Sequence, residues 1–224
     1  MNKKHWKKSY TLVELLVVVA VMAIIMSIAL PSFTKMAKGQ APKNAAIAIS
    51  SKIKAARAYA ITERKCVAIV FPDRNCNDSY EVDANLCYTT YRACIVEKDG
   101  SIWRFKEPIP GEGWETVPTS VVIFKKSAGK IIDGATELHE KSSSNMNTDL
   151  GIGKTSPANY SYTIPALIFQ PSGMLVVSTS TTEDVSIRLN IGMYTKGNDP
   201  VVPTDTENNY FEIAVNQFTG KVNF

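Results

Sequence analysis

From Leu15 to Leu30 the chain is apolar at every position but Ser27, and Pro31 follows. Sixteen residues of helix span about 24 Å, a little short of the ~30 Å hydrocarbon layer of a bilayer. Extending the run back to Tyr10 supplies the missing length and brings Glu14 inside it. A carboxylate within a membrane costs roughly 2.5–3.5 kcal/mol at mid-depth and less near an interface, so its presence asks for a function. Pro31 lacks an N–H and crowds the preceding turn, which predicts a kink or a local helix end there. Beyond Gly39 and Pro42, Ala45, Ala48, Ile49, Ile53, Ala56 and Ala60 recur at spacings of three and four. That stripe predicts an amphipathic helix packed on a sheet, with Ser50, Ser51, Lys52, Lys54 and Arg57 on its wet side.

From Lys65 the pattern shortens and fills with β-branched and aromatic residues. Residues 66–71, 88–97 and 101–105 predict strands, with Asp99-Gly100 as the turn of a hairpin of type I′. Residues 114–124 and 130–133 are weaker strand segments. Residues 166–170 and 174–179 flank a turn at Pro171-Ser172-Gly173, and 185–191, 210–215 and 221–224 complete the set. Residues 134–162 and 192–209 are rich in Ser, Asn, Thr and Gly and read as long loops. One long N-terminal helix followed by antiparallel strands is an α+β arrangement. Its divisions are a basic leader at 1–9, a membrane helix at 10–31, an amphipathic helical segment at 32–64 and a β-rich domain at 65–224.

Charge sharpens this picture. The leader holds Lys3, Lys4, Lys7 and Lys8 and no acid, and these four account for the whole net charge of +4. The remaining 21 of 25 basic residues balance 21 acidic ones. A nucleic-acid binder carries its basic excess on the folded domain, so this balance argues against such a partner. The lysines before the apolar run, and the lack of charge just after it, favour a cytoplasmic N-terminus and an exported remainder. Of two histidines, His5 lies in the leader and His139 in a polar stretch. A Ser-His-Asp or multi-histidine metal scheme would rest on His139 alone, which argues against the common hydrolase and zinc chemistries. No Gly-rich phosphate loop, HExxH or GxSxG occurs, and no cofactor is implied.

The stretch Lys8-Ser9-Tyr10-Thr11-Leu12-Val13-Glu14-Leu15-Leu16 resembles the signature of type IV prepilins. The resemblance implies a cut between Ser9 and Tyr10 by a prepilin peptidase, with methylation of the new amine. Ser9 stands where that family has Gly. It further implies a structural filament subunit, not an enzyme, with Glu14 docking against the Tyr10 amine of a neighbouring subunit. The implied partners are other pilins or pseudopilins, the peptidase, an inner-membrane assembly platform and the lipid bilayer. The implied place is a bacterial inner membrane, crossed once with the β-rich domain in the periplasm, and then the filament. Ala55-Ala56-Arg57-Ala58-Tyr59-Ala60, Phe169-Gln170-Pro171-Ser172-Gly173 and Thr219-Gly220-Lys221-Val222 recur in an order similar to the H-type minor pseudopilins of type II secretion and FimT-type minor pilins. Such subunits start or cap a filament. A DNA-binding minor pilin and a membrane-tethered periplasmic enzyme are the alternative readings.

Asp73-Arg74-Asn75-Cys76-Asn77-Asp78 begins like a calcium loop, but its sixth and twelfth positions are Asp78 and Ala84 in place of Gly and Glu. Asp199, Asp205, Glu207 and Asn208 form a second oxygen-rich group, and neither predicts a metal site. The four cysteines follow the membrane segment and so should meet an oxidising compartment. If 66–71 pairs antiparallel with 88–97 so that Phe71 faces Tyr88, Cys66 falls opposite Ala93, beside Cys94. That register predicts nested disulfides Cys66–Cys94 and Cys76–Cys87.

Overall fold

The computed structural model describes residues 11–74, 86–124, 131–133, 136–139, 163–177, 184–195, 199–204 and 210–223. The chain divides into two compact units, Met1–Gln40 and Ala41–Phe224. Helix α1, Leu12–Glu63, gives its first part to one and its last part to the other. The helix does not end at Pro31, and it runs on through Gly39 and Pro42 as well. Each interior proline removes one i→i−4 bond. Around Pro42 the loss is offset by burial of Ala41, Ala45, Ala46 and Ile49 in the core, since packing overrides propensity. The buried stripe also includes Ala46, Ser50 and Lys52, while Ala48 is exposed.

The second unit is β-rich. Strands β1 (Cys66–Val70), β2 (Thr90–Asp99), β3 (Ile102–Pro108), β4 (Glu115–Thr116), β5 (Val121–Ile123) and β6 (Ile132–Asp133) come first. They are followed by β7 (Thr136–His139), β8 (Thr163–Phe169), β9 (Leu175–Val176), β10 (Val185–Ile191), β11 (Tyr210–Val215) and β12 (Val222–Asn223). One sheet has the order β1-β2-β3-β7-β8-β9, and β1 also pairs with β8, so β1, β2, β3, β7 and β8 close into a small barrel. Closure leaves these five strands without a free edge. Strand β1 is almost wholly buried, as a continuous apolar run predicts. The second sheet has the order β12-β11-β10-β5, with β6 also on β10. Backbone bonds from Ile123 N to Tyr88 O (2.8 Å) and from Leu175 N to Gln217 O (2.9 Å) tie the sheets together over one apolar core.

The fold class is α+β, as the sequence implies, but the sheet is mixed. Strand β7 lies inside the stretch that reads as a loop, and it pairs in parallel with β3 through Trp103↔Leu138 and Arg104↔His139. The β2–β3 hairpin stands where Asp99-Gly100 predicts it. Its loop is Gly100-Ser101, with Gly100 alone at positive φ, the pattern of a II′ turn in place of I′. The β1–β2 register differs by three residues from the sequence expectation. Cys66 faces Val96, and Cys94 faces Ala68. Tyr88 at φ 59° is the cause: it leaves the ladder, donates its N–H to Pro72 O at 2.8 Å, and delays β2 to Thr90.

Candidate functional site

The first part of α1 opens on a reciprocal cap. Glu14 Oε2 accepts the Thr11 N–H at 2.8 Å and the Thr11 hydroxyl at 3.0 Å, while Thr11 Oγ1 accepts the Glu14 N–H at 3.2 Å. This is the capping box that Thr-x-x-Glu encodes, and it satisfies two of the donors a helix start leaves open. An acid in the first turn also suits the helix dipole. Sequence reasoning singled out Glu14 for its position in an apolar run and missed Thr11 as its partner, although the four-residue signature was legible.

Behind the cap, Leu12–Ala29 is long and apolar enough to cross a membrane. Leu12, Val13, Leu15, Leu16, Val17 and Val18 and the large apolar side chains after them to Ile28 are exposed on every side of the helix. A helix apolar all round has no core-facing stripe and needs an apolar surrounding of its own. Its polar groups are already satisfied locally: Ser27 Oγ donates to Ile24 O at 2.7 Å, and Glu14 is held by Thr11. Local satisfaction is what a hydrocarbon environment demands. Ser9 and Tyr10, the expected processing site, lie outside the described residues.

Elsewhere the expected sites resolve differently. Cys66 and Cys94 are free thiols, and the register puts them diagonal to one another on one face instead of side by side. Diagonal partners are about 7–8 Å apart at Cα, beyond the usual disulfide range. Burial pushes the Cys94 thiol up to about 12 and raises that of half-buried Cys66 as well. Cys87 is buried, and Cys76, its expected partner, lies outside the described residues. Asp199 meets a cation: Arg74 Nη1 lies 3.1 Å from its carboxylate. Among the described residues no three His, Cys, Asp or Glu side chains converge as metal ligands. His139 stands in β7, and Lys125-Lys126 and Asp205, Glu207 and Asn208 lie outside the described residues.

Lys52, read from spacing as wet, is instead nearly buried at 7% exposure and forms ion pairs with Glu112 and Glu115, the latter at 2.8 Å. Tyr91 donates its hydroxyl to Glu115 at 3.0 Å, and Arg92 donates to the Glu112 carbonyl at 2.9 Å. Burial alone would lower the Lys52 pKa, but the two carboxylates outweigh it and raise it. Burial raises the Tyr91 hydroxyl, and Glu115 adds to the rise. Arg57, also expected on the wet side, donates to Gly173 O at 3.1 Å. These clusters anchor the last part of α1 to the β-rich unit; neither has the geometry of a reaction centre.

Residues 7–30 match the family model of the prokaryotic N-terminal methylation motif. The segment is therefore type IV pilin-like, as its residues implied. No curated protein matches the chain. Among solved structures, the type IV minor pilin FimU of Pseudomonas aeruginosa PAO1 is similar in two crystal forms. One shares 14% identity over 86% of this chain and 91% of that one, with a TM-score of 0.40. The other shares 15% identity over 81% and 90%, with a TM-score of 0.38.

Proposed function

We propose that this chain is a minor pilin or pseudopilin, a structural subunit that starts or caps a membrane-derived filament. The observation that carries the reading is the pairing of a capped acid, Glu14, with a bare all-round apolar helix inside the segment that matches the methylation motif. A carboxylate is costly at membrane depth and is retained where a later partner uses it. On this reading a prepilin peptidase cuts between Ser9 and Tyr10 and methylates the Tyr10 amine. The helix then leaves the bilayer and packs among the helices of neighbouring subunits, while the β-rich unit stays outside. Glu14 exchanges its own Thr11 cap for the cationic Tyr10 amine of a neighbour, which neutralises two charges where water is scarce. Before assembly the chain resides in the inner membrane, N-terminus inward, beside the assembly platform.

Intact-mass analysis in a host with an active prepilin peptidase tests the processing. A mature chain starting at methylated Tyr10 is expected, and retention of Met1 would remove the assignment. The Glu14→Ala chain should still insert and be cut, yet enter filaments far less than wild type. Equal incorporation would sink the docking role of Glu14.

A further inference from the structure

We propose that a cavity of about 370 Å³ in the second unit is a binding site for a short neutral saccharide. It lies at the end of the barrel where β3 and β7 begin, between the tip of the β2–β3 hairpin and the end of β9. Mouths of small barrels are common ligand sites, and this volume falls at the lower end of the range such sites occupy. The proposal does not rest on filament assembly. Every lining residue lies beyond Gln40, and none takes part in the Glu14 cap.

The lining offers both kinds of surface that a sugar ring presents. Trp103, opposite Lys98 in the β2–β3 ladder, contributes an aromatic surface while keeping only 6% of its area exposed. Ile102, Val176 and Val177, all half-buried, add aliphatic wall. Apolar surface of this kind takes the C–H faces of a pyranose, because its burial is favourable. Beside it stand hydrogen-bonding groups of each type. The Ser101 hydroxyl is exposed and can donate or accept. Thr136 Oγ1 already donates to Val176 O at 3.1 Å, so toward a ligand it can only accept. Lys98 is a donor and Glu137 an acceptor, and among the described residues neither forms an ion pair. The Lys98 ammonium lies instead 5.9 Å from the centre of the Trp103 ring.

Lys98 and Glu137 cancel, so the lining has no net charge and favours neither an anion nor a cation. A zwitterion would have to bind through two ion pairs, but both side chains are exposed, where water leaves such pairs worth little. A charge-assisted hydrogen bond to a hydroxyl engages one charged side chain at a time and is stronger than a neutral one. A neutral polyol therefore uses every group the cavity offers.

Saturation-transfer difference NMR tests this with the full-length chain in a detergent that has no sugar headgroup. The probes are cellobiose, maltose and lactose, with alanylalanine as the zwitterion. At least one disaccharide should receive saturation, and raising the salt should leave its binding unchanged because the ligand is neutral. Lys98→Ala with Glu137→Ala should weaken that binding by about tenfold or more, through loss of two charge-assisted hydrogen bonds. Lys54→Ala, on the exposed side of α1, should leave it as it is. The double variant should melt like the parent, since neither side chain is buried. Saturation of none of the three disaccharides, or undiminished binding in the double variant, overturns the proposal. So does saturation of alanylalanine alone, which would assign the cavity to zwitterions. Each of these failures leaves the filament reading standing, because that reading is decided by the mature N-terminus and by Glu14→Ala.

Discussion

Lys52 shows how one charged side chain can hold a helix to a loop. Its ammonium is nearly buried, whereas Glu112 and Glu115 remain 33% and 44% exposed. Removing the lysine therefore strands two acids that water can still reach. We expect Lys52→Met to cost about 1–3 kcal/mol, below the 3–5 typical of a fully buried pair. The pH dependence follows from the sign of the shift. The folded state raises the Lys52 pKa above 10.5, so its stabilisation is whole below that pH and is lost as pH climbs through the raised value. Chemical denaturation from pH 8 to 11 should show the gap between wild type and Lys52→Met closing only at the alkaline end. A constant gap would mean that the loss is one of packing. The cysteines give a second residue-scale test. In the reduced chain, iodoacetamide should label half-buried Cys66 first and buried Cys94 only on unfolding, because a thiol near 12 holds almost no thiolate at neutral pH. Non-reducing peptide mapping that returned Cys66–Cys94 would require a shift in the β1–β2 ladder.

At the scale of elements, Arg57 joins three pieces that lie far apart in sequence. Its Nε binds the Gly173 carbonyl, and its side chain fills the space where a Cβ on Gly173 or Gly220 would sit. Both glycines have positive φ, 81° and 62°, so an alanine at either would meet strain and a clash together. Gly220 is the tighter, with Gly173 O only 2.5 Å from its would-be Cβ. Gly220→Ala should lower stability by more than about 1 kcal/mol, read as a fall in Tm, whereas Gly100→Ala in the open hairpin turn should cost less. Equal losses would remove the knot's special role. Both turns were legible in the sequence, because Pro171-Ser172-Gly173 and Thr219-Gly220 carry their own backbone chemistry. So were the span, the β2–β3 hairpin and the strands at 185–191 and 210–215, each set by a local pattern. What the pattern did not carry was nonlocal. Strand β7, Thr-Glu-Leu-His, has Leu138 as its one apolar residue and gains its place by parallel pairing with β3 across thirty-odd residues. The β1–β2 register turned on a tyrosine at positive φ, which side-chain type does not announce. Lys52 and Arg57 were read as wet because helical spacing locates a face and not the loops that later cover it.

For the whole molecule, the division at Gln40 separates two kinds of stability. Among the described residues, every buried apolar residue of the core lies at Ala41 or beyond, and the large apolar side chains from Leu12 to Ile28 are exposed without exception. The described span of the first unit is an apolar surface exposed all round; the second unit already buries its own interior. The barrel closed by β1–β8 and the Arg57 and Lys52 anchors all fall within the second unit, so none of them depends on the span. A chain beginning at Ala41 should therefore fold alone, dissolve without detergent and unfold in a single cooperative step. It loses only a helix start, whose replacement by a frayed end costs about 1 kcal/mol for want of a cap. Its melting, followed by circular dichroism, should stay within a few degrees of the detergent-solubilised full chain. Its affinity for vesicles should vanish. A fragment that aggregated or melted without cooperativity would show that residues before Ala41 contribute to the interior, and would overturn that separation.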